Sequence, residues 1–148
     1  MAERTEGSIE IAAPPREVMR VIADFDAYPS WAQGVREVQV LETGPDGRAV
    51  RVSMHVSSGM IDTRYTLVYE YGPDDAGLSW TTQEASGAVR SLEGEYALEP
   101  KDDTTLVTYR LSTEPAISLP GFLRRTIERT IVDTALGGLK KRVESGQG

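Results

Sequence analysis

The chain contains no cysteine, which excludes a disulfide framework, a thiolate metal site and a cysteine nucleophile. His55 is its single histidine, so a multi-histidine metal site is ruled out as well. The carboxylates lack the ligand spacing of an EF-hand loop. Neither a Gly-rich phosphate loop nor a Gly-x-Ser-x-Gly elbow occurs. The expectation is a protein without metal, nucleotide or other cofactor. No apolar run approaches the roughly 18 residues needed to span a bilayer, and Met1-Ala2-Glu3-Arg4-Thr5-Glu6 lacks the apolar stretch of a secretory signal. A cytoplasmic protein is therefore expected. Positive charge is also scarce, with 16 Lys and Arg against 23 Asp and Glu for a net charge of −7. That balance argues against a sequence-independent grip on nucleic acid, which needs clustered cations to displace counterions. It argues equally against docking on an anionic membrane. The one basic cluster, Arg124-Arg125 with Arg129 and Glu128 beside it, reads as a solvated helix face.

What is present is an ordinary folded composition, 39% hydrophobic and 26% charged over 148 residues. One domain spanning residues 1–148 is expected, large enough to bury about two-thirds of its unfolded surface. Ser8–Ile11 alternates and reads as a first strand. Pro14-Pro15 then suits a helix start, because proline at the first helical position forfeits no hydrogen bond. Val18, Met19, Val21 and Ile22 give that helix an apolar face, and a second short helical turn is expected around Asp24–Trp31. Six further strands follow between turn signals: Val35–Leu41, Ala49–Val56, Ile61–Tyr71, Leu78–Glu84, Val89–Glu99 and Thr105–Thr113. Their short links favour antiparallel hairpins between neighbours. Leu119-Pro120-Gly121-Phe122-Leu123 opens a last, long helix reaching to about Val143. Leu123, Ile127, Ile131, Ala135, Leu139 and Val143 recur along it at four-residue spacing as one apolar stripe. Thr126, Thr130, Thr134 and Gly137-Gly138 run beside that stripe, where small side chains either allow close packing or leave space.

The expected class is α+β: a seven-stranded curved antiparallel sheet around a long C-terminal helix, with two short helices between strands one and two. A sheet gripping one helix tends to leave an internal cavity, which points to binding of a small apolar molecule. Period-two alternation separates the two sheet faces. It puts Val50, Val52, Met54 and Val56 inward, then Ile61, Thr63, Tyr65, Leu67 and Tyr69. Leu78, Trp80, Thr82 and Glu84 follow from the fifth strand, with Arg90, Leu92, Gly94, Tyr96 and Leu98 from the sixth. Thr105, Val107, Tyr109 and Leu111 complete the face. Placing Leu78 opposite Tyr96 sets the large indole of Trp80 over Gly94, a sensible cross-strand pair. The same register sets Glu84 opposite Arg90, and pairing Tyr71 with Leu78 sets Tyr65 opposite Glu84. A polar cluster of Tyr65, Glu84 and Arg90 is then expected just inside the mouth, at the end of the sheet holding the turns at 57–60 and 85–88.

Several motifs are similar to those of the START-like superfamily, especially its short bacterial members known as polyketide cyclase/dehydrase or lipid-transport proteins. They are Pro15-x-x-Val18, Asp24-Phe25-x-x-Tyr28-Pro29-x-Trp31, Glu93-Gly94-x-Tyr96, Val107-Thr108-Tyr109-x-Leu111 and Leu119-Pro120-x-Phe122-Leu123. The resemblance covers nearly the whole chain and implies the helix-grip fold. It implies less about function, because members bind lipids, hormones, quinones or polyketides and only some catalyse a reaction. For the aromatase/cyclase members it implies that pocket Arg and Tyr residues steer a reactive polyketone. Arg90 and Tyr65 are of those types without matching a family motif.

Taken together, the ligand-lining candidates are Tyr28, Trp31, Met54, Tyr65, Trp80, Glu84, Arg90, Tyr96, Tyr109, Phe122 and Ile127. Tyr28 and Trp31 either plug the core or gate the mouth. Met54, Trp80, Tyr96 and Tyr109 are either core or pocket. Arg90, Glu84 and Tyr65 are the candidates for chemistry: Glu84 or Tyr65 to move a proton, Arg90 to hold an enolate oxygen. The alternative for Glu84 and Arg90 is an exposed hairpin-end ion pair of little energetic weight. His55, on the outward face, reads as structural. Binding or carrying of a lipid, quinone, isoprenoid or polyketide is the leading expectation, by a monomer or homodimer. The alternatives are a metal-free polyketide aromatase/cyclase or dehydratase, and a partner-binding module of the toxin or ribosome-associated type.

Overall fold

A computed structural model describes residues 4–58 and 61–145, so the turn expected at 57–60 lies partly outside the described residues. Strand β1 (Thr5–Ile11) leads into helix α1 (Pro15–Ala23), a 3-10 turn at Phe25–Ala27 and the one-turn helix α2 (Tyr28–Trp31). Strands β2 (Val35–Thr43), β3 (Ala49–Ser58), β4 (Ile61–Tyr71), β5 (Gly77–Gly87), β6 (Val89–Lys101) and β7 (Thr104–Pro115) follow. Helix α3 (Gly121–Ser145) closes the chain. The expected seven strands and C-terminal helix are all present, in one sheet ordered β1-β7-β6-β5-β4-β3-β2. Every neighbouring pair is antiparallel. The hairpins zip up in sequence, and β1 returns to the far edge beside β7.

Local sequence accounts for the helices. Pro15 occupies the first turn of α1, where its missing N–H costs nothing, and Val18, Met19 and Ile22 form the buried face. Helix α3 buries Glu128, Val132, Leu136, Leu139 and Val143, a different row from the expected one. The reason is geometric: an α-helix turns 100° per residue, so a strict four-residue row drifts by about 40° per step. Leu123 and Ile127 therefore wind off to one side, Ile131 and Ala135 stay half-buried at the border of the core, and only Leu139 and Val143 are fully within it. Each fully buried aliphatic of the true row contributes at most about 1.5–3 kcal/mol.

Glu128 is correspondingly not part of a solvated face. It is fully buried, and its carboxylate accepts hydrogen bonds from the Thr113 backbone N–H at 2.7 Å, the Thr113 hydroxyl at 2.8 Å and the Thr5 hydroxyl at 2.7 Å. One side chain thus ties α3 to β7 and β1. Helix α3 accordingly lies closest to these two strands and to α1, leaning on one edge of the sheet.

The register expected at the start of the β5–β6 hairpin holds, with Leu78 opposite Tyr96 and Trp80 opposite Gly94. Beyond Trp80 the ladder gives way. The Thr82 hydroxyl instead accepts from the Leu92 N–H at 2.9 Å and donates to the Leu92 carbonyl at 3.2 Å. Tyr71 also pairs with Leu78 as expected, but a bulge lies between Thr66 and Leu67 in the β4–β5 ladder. Leu67 opposes Thr82 while Thr66 opposes Glu84, so Gln83 is the extra residue. One inserted residue swings the rest of a strand to its other face.

Gly94 is where close approach demands glycine. A Cβ there would collide with the Arg110 carbonyl oxygen and lie 3.0 Å from Trp80 Cζ2. Gly137, on the exposed side of α3, has open space around it. Gly94→Ala should lower the unfolding free energy in urea by roughly 1–3 kcal/mol through overpacking, whereas Gly137→Ala should raise it by about 0.5–1 kcal/mol. Equal effects of the two changes would contradict this packing.

Candidate ligand-binding site

Because α3 leans on β1 and β7, the hollow of the curved sheet at the middle strands is lined by aromatic side chains rather than covered by the helix. Its floor carries Met54 from β3, Tyr65, Leu67 and Tyr69 from β4, Trp80 from β5, Leu92 and Tyr96 from β6, and Tyr109 from β7. Ile131 and Ala135, half-buried, flank it from α3, with Ile127 one turn earlier. Tyr65 and Tyr96 are surrounded by protein yet keep accessible surface, as side chains lining a concavity do.

The aromatic rings form a continuous path. Trp80 lies 5.9 Å from Tyr69, 5.7 Å from Tyr96 and 5.6 Å from Tyr109, and Tyr96 meets Tyr109 edge-on at 4.7 Å. Phe25 joins Tyr69 at 4.7 Å and Tyr28 at 5.1 Å, and Tyr28 reaches Trp31 at 5.1 Å. Edge-on and tilted contacts of this kind hold rings more firmly than area alone.

Most polar atoms on this face are already satisfied. The Thr63 hydroxyl donates to the Ser86 carbonyl at 2.8 Å, Thr105 to the Ala13 carbonyl at 2.6 Å, and Tyr71 to the Ala49 carbonyl at 2.7 Å. Tyr28 donates to the Ile22 carbonyl. Among the described residues, the exceptions on the floor are the phenols of Tyr65, Tyr69, Tyr96 and Tyr109, which have no hydrogen-bond partner, and the buried, unpartnered indole N–H of Trp80. Burial pushes the Tyr65 phenol up to about 12 and the Tyr96 phenol further. Tyr28, Tyr69 and Tyr109 are likewise held well above the ordinary range by burial first, then by neighbouring phenols.

The expected cluster of Tyr65, Glu84 and Arg90 does not form. The bulge at Gln83 places Ala85 opposite Tyr65 and turns Glu84, now exposed, toward the outer face. Arg90 follows a register shift in β6, is 67% exposed and pairs with Glu114 at 3.7 Å. No pairing of the two charges remains to serve as a ligand anchor. Phe122 is 67% exposed and, with Ile117, lies outside the hollow. Trp31 stands over Gly138, about 24 Å along α3 from Phe122, so these two aromatics share no rim. Tyr28, by contrast, is linked to this face through Phe25, whose ring also meets Tyr69.

His55 sits outside the hollow, its Nε2 2.8 Å from Asp62 Oδ1. Among the described residues, no group of three or more His, Asp or Glu side chains is arranged to hold a metal. Two clefts flank α1 on the exterior, one toward Arg48 and Asp75, the other toward Arg142 and Ser145. The first is dominated by charges that already pair, Arg20–Glu17 at 2.7 Å and Arg48–Asp75 at 2.6 Å. The unpaired phenols were the feature hardest to see in the sequence: alternation put the tyrosines inward, but not which of them would find partners.

A curved antiparallel sheet with one long helix leaning across its first edge defines a helix-grip protein. A family profile described as polyketide cyclase/dehydrase and lipid transport matches residues 2–144, and the chain belongs to that family. Among solved structures it resembles a START superfamily protein from Mycobacterium smegmatis, with a TM-score of 0.87 at 20% identity over 97% of this chain and 98% of the other. An aromatase/cyclase from Streptomyces gives 0.75 at 19% identity, covering 97% and 94%. A STAR-related lipid transfer protein from Xanthomonas axonopodis gives 0.71 at 20% identity, covering 94% and 84%. At these identities the likeness establishes the fold. No curated protein matches the chain. No described helix is long and apolar enough to cross a membrane.

All six tyrosines are shifted upward. Folding favours the neutral phenol, whereas the unfolded chain ionises near pH 10. The resulting stability is complete below pH 10 and is lost as pH rises through about 12, where Tyr65 and Tyr71 titrate. Native protein at about pH 10.5 should show little phenolate absorbance, and urea at the same pH should release it fully. Ordinary titration near pH 10 in the native state would contradict the buried arrangement.

Proposed function

We propose that the chain binds one small hydrophobic or amphipathic molecule in the hollow between the middle strands and α3, and carries it rather than converts it. The ligand classes in view are lipids, quinones, isoprenoids and polyketides. The observation that carries this reading is the aromatic floor with its unpartnered phenols and indole. Apolar walls with a few convergent polar groups are the usual composition of a small-molecule site. A floor intended only as core would have paired those hydroxyls, as it paired those of Tyr28 and Tyr71. The family description, which includes lipid transport, supports the same reading.

Carrying is favoured over cyclisation or dehydration by the chemistry of the lining. General acid–base work is most effective with a group that titrates near the working pH. The hollow offers phenols held at about 12 or above, and the expected acid–base and oxyanion residues, Glu84 and Arg90, lie outside it. Cyclase activity remains the second reading because the family description names it.

Titration with N-phenyl-1-naphthylamine, a neutral apolar fluorophore, should give saturable one-to-one enhancement, with quenching of Trp80 emission. Substituting Trp80→Phe should remove most of that quenching while leaving the fluorophore enhancement in place. Native mass spectrometry after expression, followed by organic extraction, would then identify a co-purifying ligand. Absence of saturable binding, together with an unliganded mass, would overturn the proposal.

A further inference from the structure

We propose that Arg124, at the end of the first turn of α3, is the charged anchor of this site: it holds the carboxylate of an amphipathic acid whose apolar body lies along the aromatic face. The inference rests on the binding reading above and adds the residue and the charge that select the occupant.

Helical geometry sets the direction in which Arg124 leaves α3. At 100° per residue it lies about 20° from Ile131 on one side and about 20° from Ala135 on the other. Both of those are half-buried at the border of the hollow. Glu128, one turn further along, is rotated by about 40° toward β7, where its carboxylate meets the Thr113 N–H and hydroxyl. Thr113 is near the end of β7, and Pro115 at that end pairs with Val89 at the start of β6. Arg124 precedes Glu128, and Cα–Cβ bonds in a helix tilt toward its N-terminus. Its side chain therefore stands at the end of the sheet next to the β5–β6 turn, on the hollow side of the helix.

The guanidinium there lacks a countercharge. Among the described residues, seven arginines pair with carboxylates. Arg16, Arg36, Arg64, Arg125 and Arg142 do not, and all five are exposed to water. Arg124 is the remaining one: it is partly withdrawn from the surface, and its Nε is buried with no hydrogen-bond partner. Arginine cannot shed its proton to relieve such a position, and a buried donor without a partner costs free energy. The helix adds to that cost, because its start carries the positive end of the macrodipole and the first turn holds no acidic side chain. Glu128 does not relieve it, since both of its carboxylate oxygens are engaged by Thr5 and Thr113. A cation kept here without a protein partner is suited to meet an anion from outside.

The site fits an anion of one charge. A guanidinium presents a planar fork that matches a carboxylate in two parallel hydrogen bonds. Among the described residues, no second unpaired cation is withdrawn from the surface beside it, so a second negative charge on the ligand would go unmatched. The ring faces of Trp80, Tyr96 and Tyr109 offer the apolar surface for the rest of the molecule. The occupant is an amphipathic carboxylic acid in its ionised form, distinct from a neutral quinone or isoprenoid.

Two fluorescent probes that differ at one group test the anchor at pH 7.5: 11-(dansylamino)undecanoic acid and its primary amide. The acid should bind at least tenfold more tightly than the amide. Arg124→Met, which keeps an apolar stem and removes the charge, should weaken the acid at least tenfold and change the amide less than twofold. The same substitution at the exposed Arg125 removes an equal charge and should change neither. The unliganded Arg124→Met protein should melt no lower than the unsubstituted protein, because an unpaired cation contributes no stability. Equal binding of acid and amide by the unsubstituted protein would overturn the anchor, whatever the variants do. A lower melting temperature in Arg124→Met with acid binding unchanged would overturn it too, marking a structural role. N-phenyl-1-naphthylamine separates the two possible failures. If it binds saturably and the acid does not, the anchor falls and the hollow stands; if neither binds, the ligand-site reading falls and the anchor with it.

Discussion

The position of α3 governs everything else in this molecule. Val132, Leu136, Leu139 and Val143 bury against the core, and Glu128 gathers donors from β1 and β7. A buried carboxylate is tolerable only when its oxygens are satisfied, and satisfying them requires those two strands. The helix is thereby held over one edge of a seven-stranded sheet. A single helix about 10 Å wide cannot cover the remaining strands, so their inner face is left to aromatic side chains. The hollow follows from a local polar contact at the opposite side of the fold.

Much of this was legible in the chain. Turn residues and alternation gave every strand, and the indole of Trp80 over Gly94 gave the β5–β6 register. Both rest on local signals: period-two burial, and the need for a residue without a side chain beneath a large ring. The α3 stripe was misread because a four-residue row imitates helical periodicity over two turns and departs from it over six. The buried row contains a glutamate, which no hydrophobicity pattern selects. The bulge at Gln83 was invisible for a different reason. Nothing in Thr81-Thr82-Gln83-Glu84 distinguishes a straight strand from one carrying an extra residue, and the choice is made by the neighbouring strand. The Tyr65–Glu84–Arg90 cluster depended on that stretch and failed with it.

The aromatic face that results carries phenols and an indole N–H. Its phenols are flanked by one another and by Trp80, and burial keeps them protonated across the physiological range. Such groups hold and orient a ligand well, and they exchange protons poorly. This is the physical basis for reading the site as a receptacle within a family whose description spans both transport and ring-forming chemistry. Tyr28 and Phe25 extend the aromatic surface from the sheet onto the segment that joins β1 to β2, so two parts of the chain distant in sequence contribute to one lining.

The extra residue in β5 also divides that strand into two independently variable halves. From Leu78 to Thr82 the strand faces are locked by Trp80, Gly94 and the β4 pairing, and they set the floor. From Glu84 onward the same strand is free of β6 in the ladder, and its faces depend on whether Gln83 is accommodated as a bulge. Length variation of a single codon at this point exchanges the groups that the strand presents on each face beyond Thr82 while sparing the aromatic floor. Descendants of one scaffold thus have a short evolutionary route to new side-chain patterns at that end of the sheet that does not first dismantle the aromatic face.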